Sequence, residues 1–170
     1  MATVSLVVAG CTNVATPPQT PTPPVSQSPT ESAQEMQQRL DYEAAEKSYR
    51  TFRAEYNRAL RAGGAKTPTK IMKATAAGPY LTELAQAVEA YKGLGSYDTG
   101  SENILFVRYI GHSPSAVNLE VCEDSRAIKT LNKSGKLQGS GDILKAQLEV
   151  RKTDQWRVWS GTGKKVTSCD

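Results

Sequence analysis

Charge is missing from the first thirty residues. The earliest charged side chain is Glu31, and the 21 basic and 17 acidic residues, net +4, all follow from there. Histidine occurs once, at His112, and no Cys-x-x-Cys is present, which excludes a histidine-based metal cluster and leaves no expected metal or cofactor. No stretch approaches the ~20 apolar residues that a spanning helix needs, so a polytopic membrane protein is excluded. The glycine runs Gly93-Leu94-Gly95 and Gly139-Ser140-Gly141 lack the spacing of phosphate loops, and there is no Gly-x-Ser-x-Gly nucleophile elbow. The modest net charge, with acids interleaved among bases, argues against a nucleic-acid partner.

What fills the uncharged stretch is informative. Residues 1–11 read MATVSLVVAGC: the apolar run Val4 to Val8 leads through Ala9 and Gly10 into Cys11. An apolar segment closing on small residues has the shape of a secretory signal at its cleavage site. Val8-Ala9-Gly10-Cys11 resembles the lipobox of bacterial lipoproteins. The resemblance implies that the Cys11 thiol is acylated, with palmitate-class chains anchoring the mature protein to the membrane. Such a signal begins with Lys or Arg, and none precedes Cys11, so a basic segment is expected upstream of Met1 in the genome. The alternative is an ordinary short strand with Cys11 as a buried thiol. Residues 12–35 hold Pro17, Pro18, Pro21, Pro23, Pro24 and Pro29 among Thr, Ser and Gln. That composition does not pack and favours extended polyproline segments, a disordered tether.

From residue 36 to 170 the pattern is that of a folded domain. Ala45, Tyr49, Phe52, Tyr56 and Leu60 recur at helical spacing, and Gly63-Gly64 ends the run. One helical turn is expected over Lys70 to Ala76. A further helix follows Gly78-Pro79, with Leu81, Leu84, Ala85, Val88 and Tyr91 on one face, and stops at Gly93-Leu94-Gly95. Strands are expected over Asn103–Ile110, Ala116–Glu123, Ile128–Leu131, Ile143–Lys152 and from Trp156 onward, with Lys133–Asp142 as a loop. Val117, Leu119 and Val121 should share one face. The expectation is an α+β domain: one long and one or two short helices on a curved antiparallel sheet of four to five strands.

This order of elements, ending in VRKTDQWRVWSG and SCD, resembles secreted actinobacterial proteins of the nuclear transport factor 2-like, or cystatin-like, cone fold. The resemblance spans roughly Leu40 to Cys169. It rests on the charged turn Thr153-Asp154-Gln155 before Trp156, on Cys122-Glu123-Asp124 in a middle strand and on Cys169 near the end. With Cys11 given to the lipid, it implies a Cys122–Cys169 disulfide after export; the alternative is two free thiols.

Cone-fold enzymes of this resemblance, isomerases and dehydratases, hold Asp, Tyr and His around a hydrophobic ligand. The corresponding positions are Tyr49, Tyr56, Tyr109, His112 and Asp124. Asp124 beside Glu123 in a turn, and His112 at a strand end, do not suggest a buried general base. Tyr49, Phe52, Tyr56, Tyr109 and Trp156 are instead candidates to line a pocket or fill the cone. Lys129, Lys133, Lys136, Lys145, Arg151, Lys152, Arg157, Lys164 and Lys165 concentrate positive charge in the strand half, either as a solvated sheet face or as a patch for anionic lipid or wall polymer. The expected function is a non-catalytic, lipid-anchored binding module on the outer face of the cell membrane, part of the cell envelope, taking a partner protein or a hydrophobic small molecule. The alternatives are an exported cone-fold enzyme and an exclusion lipoprotein carried by a phage or mobile element.

Overall fold

The computed structural model describes residues 31–170. The signal segment 1–11 with Cys11, and residues 12–30 of the tether, lie outside the described residues. The long helix α1 (Ala33–Arg61) starts inside the stretch assigned to the tether. Ser32 caps it: its hydroxyl accepts the Glu35 amide, and the Glu35 carboxylate accepts the Ser32 amide. Ser-x-x-Glu is a reciprocal cap, and its polar residues read as tail when composition alone sets the boundary.

At 29 residues, roughly 43 Å, α1 crosses the whole sheet. Ala45, Tyr49, Phe52 and Leu60 of its apolar stripe are buried, and Tyr56 is half-buried. A short helix α2 (Lys70–Thr75) and then α3 (Gly78–Leu94) follow. Gly64, at φ +75°, lets the chain leave α1 tightly against α3: a Cβ there would stand 2.3 Å from the Val88 carbonyl oxygen. Any side chain at this point would push the two helices apart.

Seven strands form two antiparallel sheets. The larger has the order β2 (Asn103–Ser113), β3 (Ala116–Asp124), β6 (Ile143–Lys152), β7 (Trp156–Val166). The smaller has the order β1 (Tyr97–Thr99), β4 (Lys129–Leu131), β5 (Leu137–Ser140). The single sheet of four to five strands is therefore corrected to two sheets. Residues 133–142, expected as a loop, contain β5 because Asn132 builds the turn of a hairpin. Its side-chain oxygen accepts the amides of Ser134 and Lys136, and Gly135 takes the left-handed conformation the turn requires. Strand β1 is three residues long and carries too little pattern to be seen in sequence.

Val117, Leu119 and Val121 face the helices as expected, opposite Val150, Leu148 and Ala146 of β6. Tyr49, Phe52, Met72, Val88 and Val158 complete the core with no solvent exposure. Cys122 points to the other face of β3 and is bonded to Cys169, with their Cα atoms 6.1 Å apart. That bridge fastens the C-terminal tail across the outside of the sheet.

Closing a loop of 47 residues' separation stabilises by about 4 kcal/mol on the chain-entropy account. Urea unfolding with and without a reductant should show a loss of that order, with both thiols unreactive before reduction. Free thiols in the untreated protein would contradict the bridge.

Candidate functional site

Helical spacing brings Tyr49 and Arg53, one turn apart on α1, to the same part of the sheet. There they meet Glu123, the inward-facing residue that follows Val121 on β3, and Glu102, just before β2. The Arg53 Nη2 lies 2.9 Å from Glu123 Oε2. Its Nε donates to Glu102 Oε1 at 3.2 Å, and Nη2 also donates to Glu102 Oε2. The Tyr49 hydroxyl donates to Glu123 Oε1. Asn57 Nδ2 and Ser125 Oγ donate to Glu102, each at 3.1 Å. The side chains of Arg53, Glu102 and Glu123 are 11%, 2% and 8% exposed.

One guanidinium therefore sits between two carboxylates almost out of water. Burial opposes the charge on Arg53, but Glu123 and Glu102 outweigh it and hold the guanidinium protonated well above its ordinary range. Burial pushes the Glu123 carboxyl up, and proximity to Glu102 adds to this, against the pull of Arg53 and the Tyr49 hydrogen bond. Burial also raises the Tyr49 phenol, with Glu123 adding to it. The Glu123 carboxyl thus holds its proton more tightly than an ordinary glutamate.

The cluster forms the polar end of a cleft of ≈ 200 Å³ between α3 and the large sheet. Tyr80, Glu83 and Leu84 of α3 make one wall; Val121, Leu144, Ala146 and Leu148 make the other. The cleft is open because β7 presents glycine at two inward positions, Gly161 opposite Leu148 and Gly163 opposite Ala146. A Cβ on Gly163 would stand 3.3 Å from the Ala146 Cβ, and one on Gly161 would stand 2.6 Å from Leu148 Cδ2. Tyr80 packs on Phe52 and has no hydrogen-bond partner among the described residues, and burial raises its phenol. The cleft thus offers a mainly apolar body, the uncommitted Tyr80 hydroxyl and a charged floor already engaged with itself.

The structure divides the residues singled out in the sequence between core and surface. Tyr49, Phe52 and Trp156 are core, under and beside the cleft rather than lining it. Tyr56 stacks on Phe52, and its phenol is raised to about 12 chiefly by burial. Tyr109 is 42% exposed, stacks on Tyr42 and donates to Glu46 at 2.6 Å. His112 lies near the end of β2, and its Nε2 is 3.1 Å from the buried Asp41 carboxylate. Burial works against the charge on Asp41, yet His112, Gln37 and Lys152 hold its carboxyl below the usual range. Asp124 pairs with Arg126, whose hydrogen bonds bring its carboxyl down to about 2. Arg53, Glu102, Tyr80 and the two glycines were missed. The one signal for Arg53 in the sequence is its place at the i+4 position from the stripe residue Tyr49.

Among the described residues no group of three or more His, Cys, Asp or Glu is arranged to hold a metal ion. No helix among them is long and apolar enough to cross a membrane. No protein-family model matches the chain, and no curated protein matches it at a significant level.

Removing Arg53 leaves two buried carboxylates without their cation, so Arg53→Met should cost about 3–5 kcal/mol in urea unfolding at neutral pH. Glu123→Gln keeps an acceptor for Tyr49 and leaves Arg53 its Glu102 partner, so it should cost less than about 1 kcal/mol. The pH dependence has a definite sign. A carboxyl raised in the folded state binds its proton more tightly there, so wild-type stability falls as pH rises above the unfolded value of 4.5. The Glu123→Gln variant should lack that decline; an identical profile in both proteins would contradict the assignment.

Proposed function

We propose that this chain is an exported lipoprotein, anchored at Cys11 on the outer face of the cell membrane, whose folded domain is a non-catalytic binding module for a small hydrophobic molecule. The observation that carries the binding role is the cleft between α3 and the sheet, mainly apolar on its walls and polar at its floor. Its size suits a compact ligand with an apolar body and a single hydrogen-bonding group directed at Tyr80. The Cys122–Cys169 bridge supports export, because a disulfide persists in an oxidising compartment. One long and two shorter helices across one face of a four-stranded antiparallel sheet support the nuclear transport factor 2-like cone as the fold, with Leu84 and the two β7 glycines at its open side.

A second reading, an exported enzyme, draws on one feature: a carboxyl raised by burial at the end of an apolar cleft is what a general base requires. The hydrogen-bond arrangement favours binding. Both Glu123 oxygens are taken, one by Tyr49 and one by Arg53, so abstraction of a substrate proton would have to break the cluster that holds the helix to the sheet.

Two measurements test the proposal. Titrated with 2-naphthol as a probe of suitable shape, the protein should show shifts of the Leu144, Ala146 and Leu148 methyl resonances, and Gly163→Val should weaken binding at least tenfold with the fold intact. Equal binding by the filled variant would remove the cleft as the site. Replacing Cys11 with Ala should release the exported protein from membranes, and unchanged membrane partition would defeat the anchor.

A further inference from the structure

Leu94 and Leu137 are the most exposed of the large apolar side chains among the described residues, at 75% and 57%. One closes α3 and the other opens β5, and the fold brings their segments together. Lys133, in the β4–β5 turn, lies over Gly95: a Cβ built there would stand 3.4 Å from the Lys133 Cβ. Leu137 pairs with Leu131, which in turn pairs with Tyr97, two residues after Gly95. Around the two leucines stand Lys92, Lys129, Lys133 and Lys136, all exposed. The lysines that form ion pairs among the described residues are Lys145, Lys152 and Lys165, none of these four.

Acidic side chains are few at this corner. Residues 126–141 contain none. Asp98 on β1 is buried and accepts the hydroxyls of Tyr91 and Thr130 at 3.0 and 2.7 Å. Glu89 is the one acid in the last two turns of α3. The result is two protruding leucines set among four uncompensated ammonium groups.

We infer that this corner docks the domain on an anionic phospholipid surface, the lysines meeting the headgroup phosphates while Leu94 and Leu137 enter the acyl boundary. A soluble polyanion or an acidic protein would satisfy the lysines alone. Leucines exposed to this degree are matched by a partner with an apolar layer beneath its charge, which is what a membrane offers. The contact is independent of the cleft and of acylation, and holds the domain's face to a bilayer rather than merely near one.

The test uses the full chain carrying Cys11→Ser, so that no acyl chain can anchor it. It is sedimented with vesicles of phosphatidylcholine alone or with added phosphatidylglycerol. Binding should require phosphatidylglycerol and fall sharply at about 1 M salt, where screening reaches about 3 Å. At roughly fivefold in partition for each lysine lost, the Lys133→Glu, Lys136→Glu double variant should bind at least twentyfold more weakly. The Leu94→Ser, Leu137→Ser variant should lose binding to vesicles while keeping its affinity for soluble polyglutamate. Equal binding to both vesicle types, or leucine variants that bind vesicles as the parent does, would overturn the inference. So would polyglutamate competing as well as vesicles. Circular dichroism of each variant confirms that the exposed substitutions leave the fold unchanged.

Discussion

The rest of the structure is arranged around a cation buried between two carboxylates. Arg53 joins α1 to Glu102 ahead of β2 and to Glu123 on β3, and Tyr49 one turn earlier adds a second hydrogen bond to Glu123. Such a cluster is expensive to desolvate, and its net contribution to stability is small next to the cost of breaking it. What it supplies is position. An apolar stripe can slide or rotate on a sheet by a fraction of a turn at little cost, whereas a guanidinium held on two sides cannot. The Ser48 hydroxyl, donating to the Trp156 carbonyl at 2.7 Å, fixes α1 against the start of β7 in the same way.

With α1 fixed, the shape of the cleft follows from what the neighbouring elements lack. Leu84 and Tyr80 approach from α3, but β7 answers with Gly161 and Gly163, so the two layers do not close. The core beside it, Tyr49, Phe52, Leu119 and Val121, is fully packed. An opening next to a dense core and a self-satisfied charge cluster suits holding a molecule better than transforming one. The disulfide lies on the opposite face of the sheet from the cleft.

Much of the architecture was legible in the sequence, because it is written in local periodicity. The stripe from Ala45 to Leu60, the glycines after α1 and α3, and the alternation of Val117, Leu119 and Val121 each specify an element and its buried face. Elements that depend on pairing were not legible: β1 and β5 are three and four residues long and exist because β4 lies between them. The site was less visible still. Of the aromatics singled out in the sequence, Tyr49, Phe52 and Trp156 belong to the core and Tyr109 to the surface, while Tyr80 of the cleft was not among them; the site's defining charges sit at positions where a charge on a helix or strand end ordinarily faces water. Arg53 and Glu102 become neighbours only across 49 residues of chain, which no periodicity reports. Gly161 and Gly163 carry no signal of their own in the sequence, and it is their lack of a side chain that leaves the cleft open.

The central claim is that Glu123 is withdrawn from water and held by Arg53 and Tyr49, making the cleft floor a fixed scaffold. A carbon-detected NMR titration of the Glu123 side-chain carboxyl tests it most directly. The account predicts a midpoint above 4.5, the ordinary value for glutamate, because burial outweighs the pull of Arg53. A midpoint at or below the ordinary value would mean that the carboxylate is solvated or fully compensated, and would contradict the account.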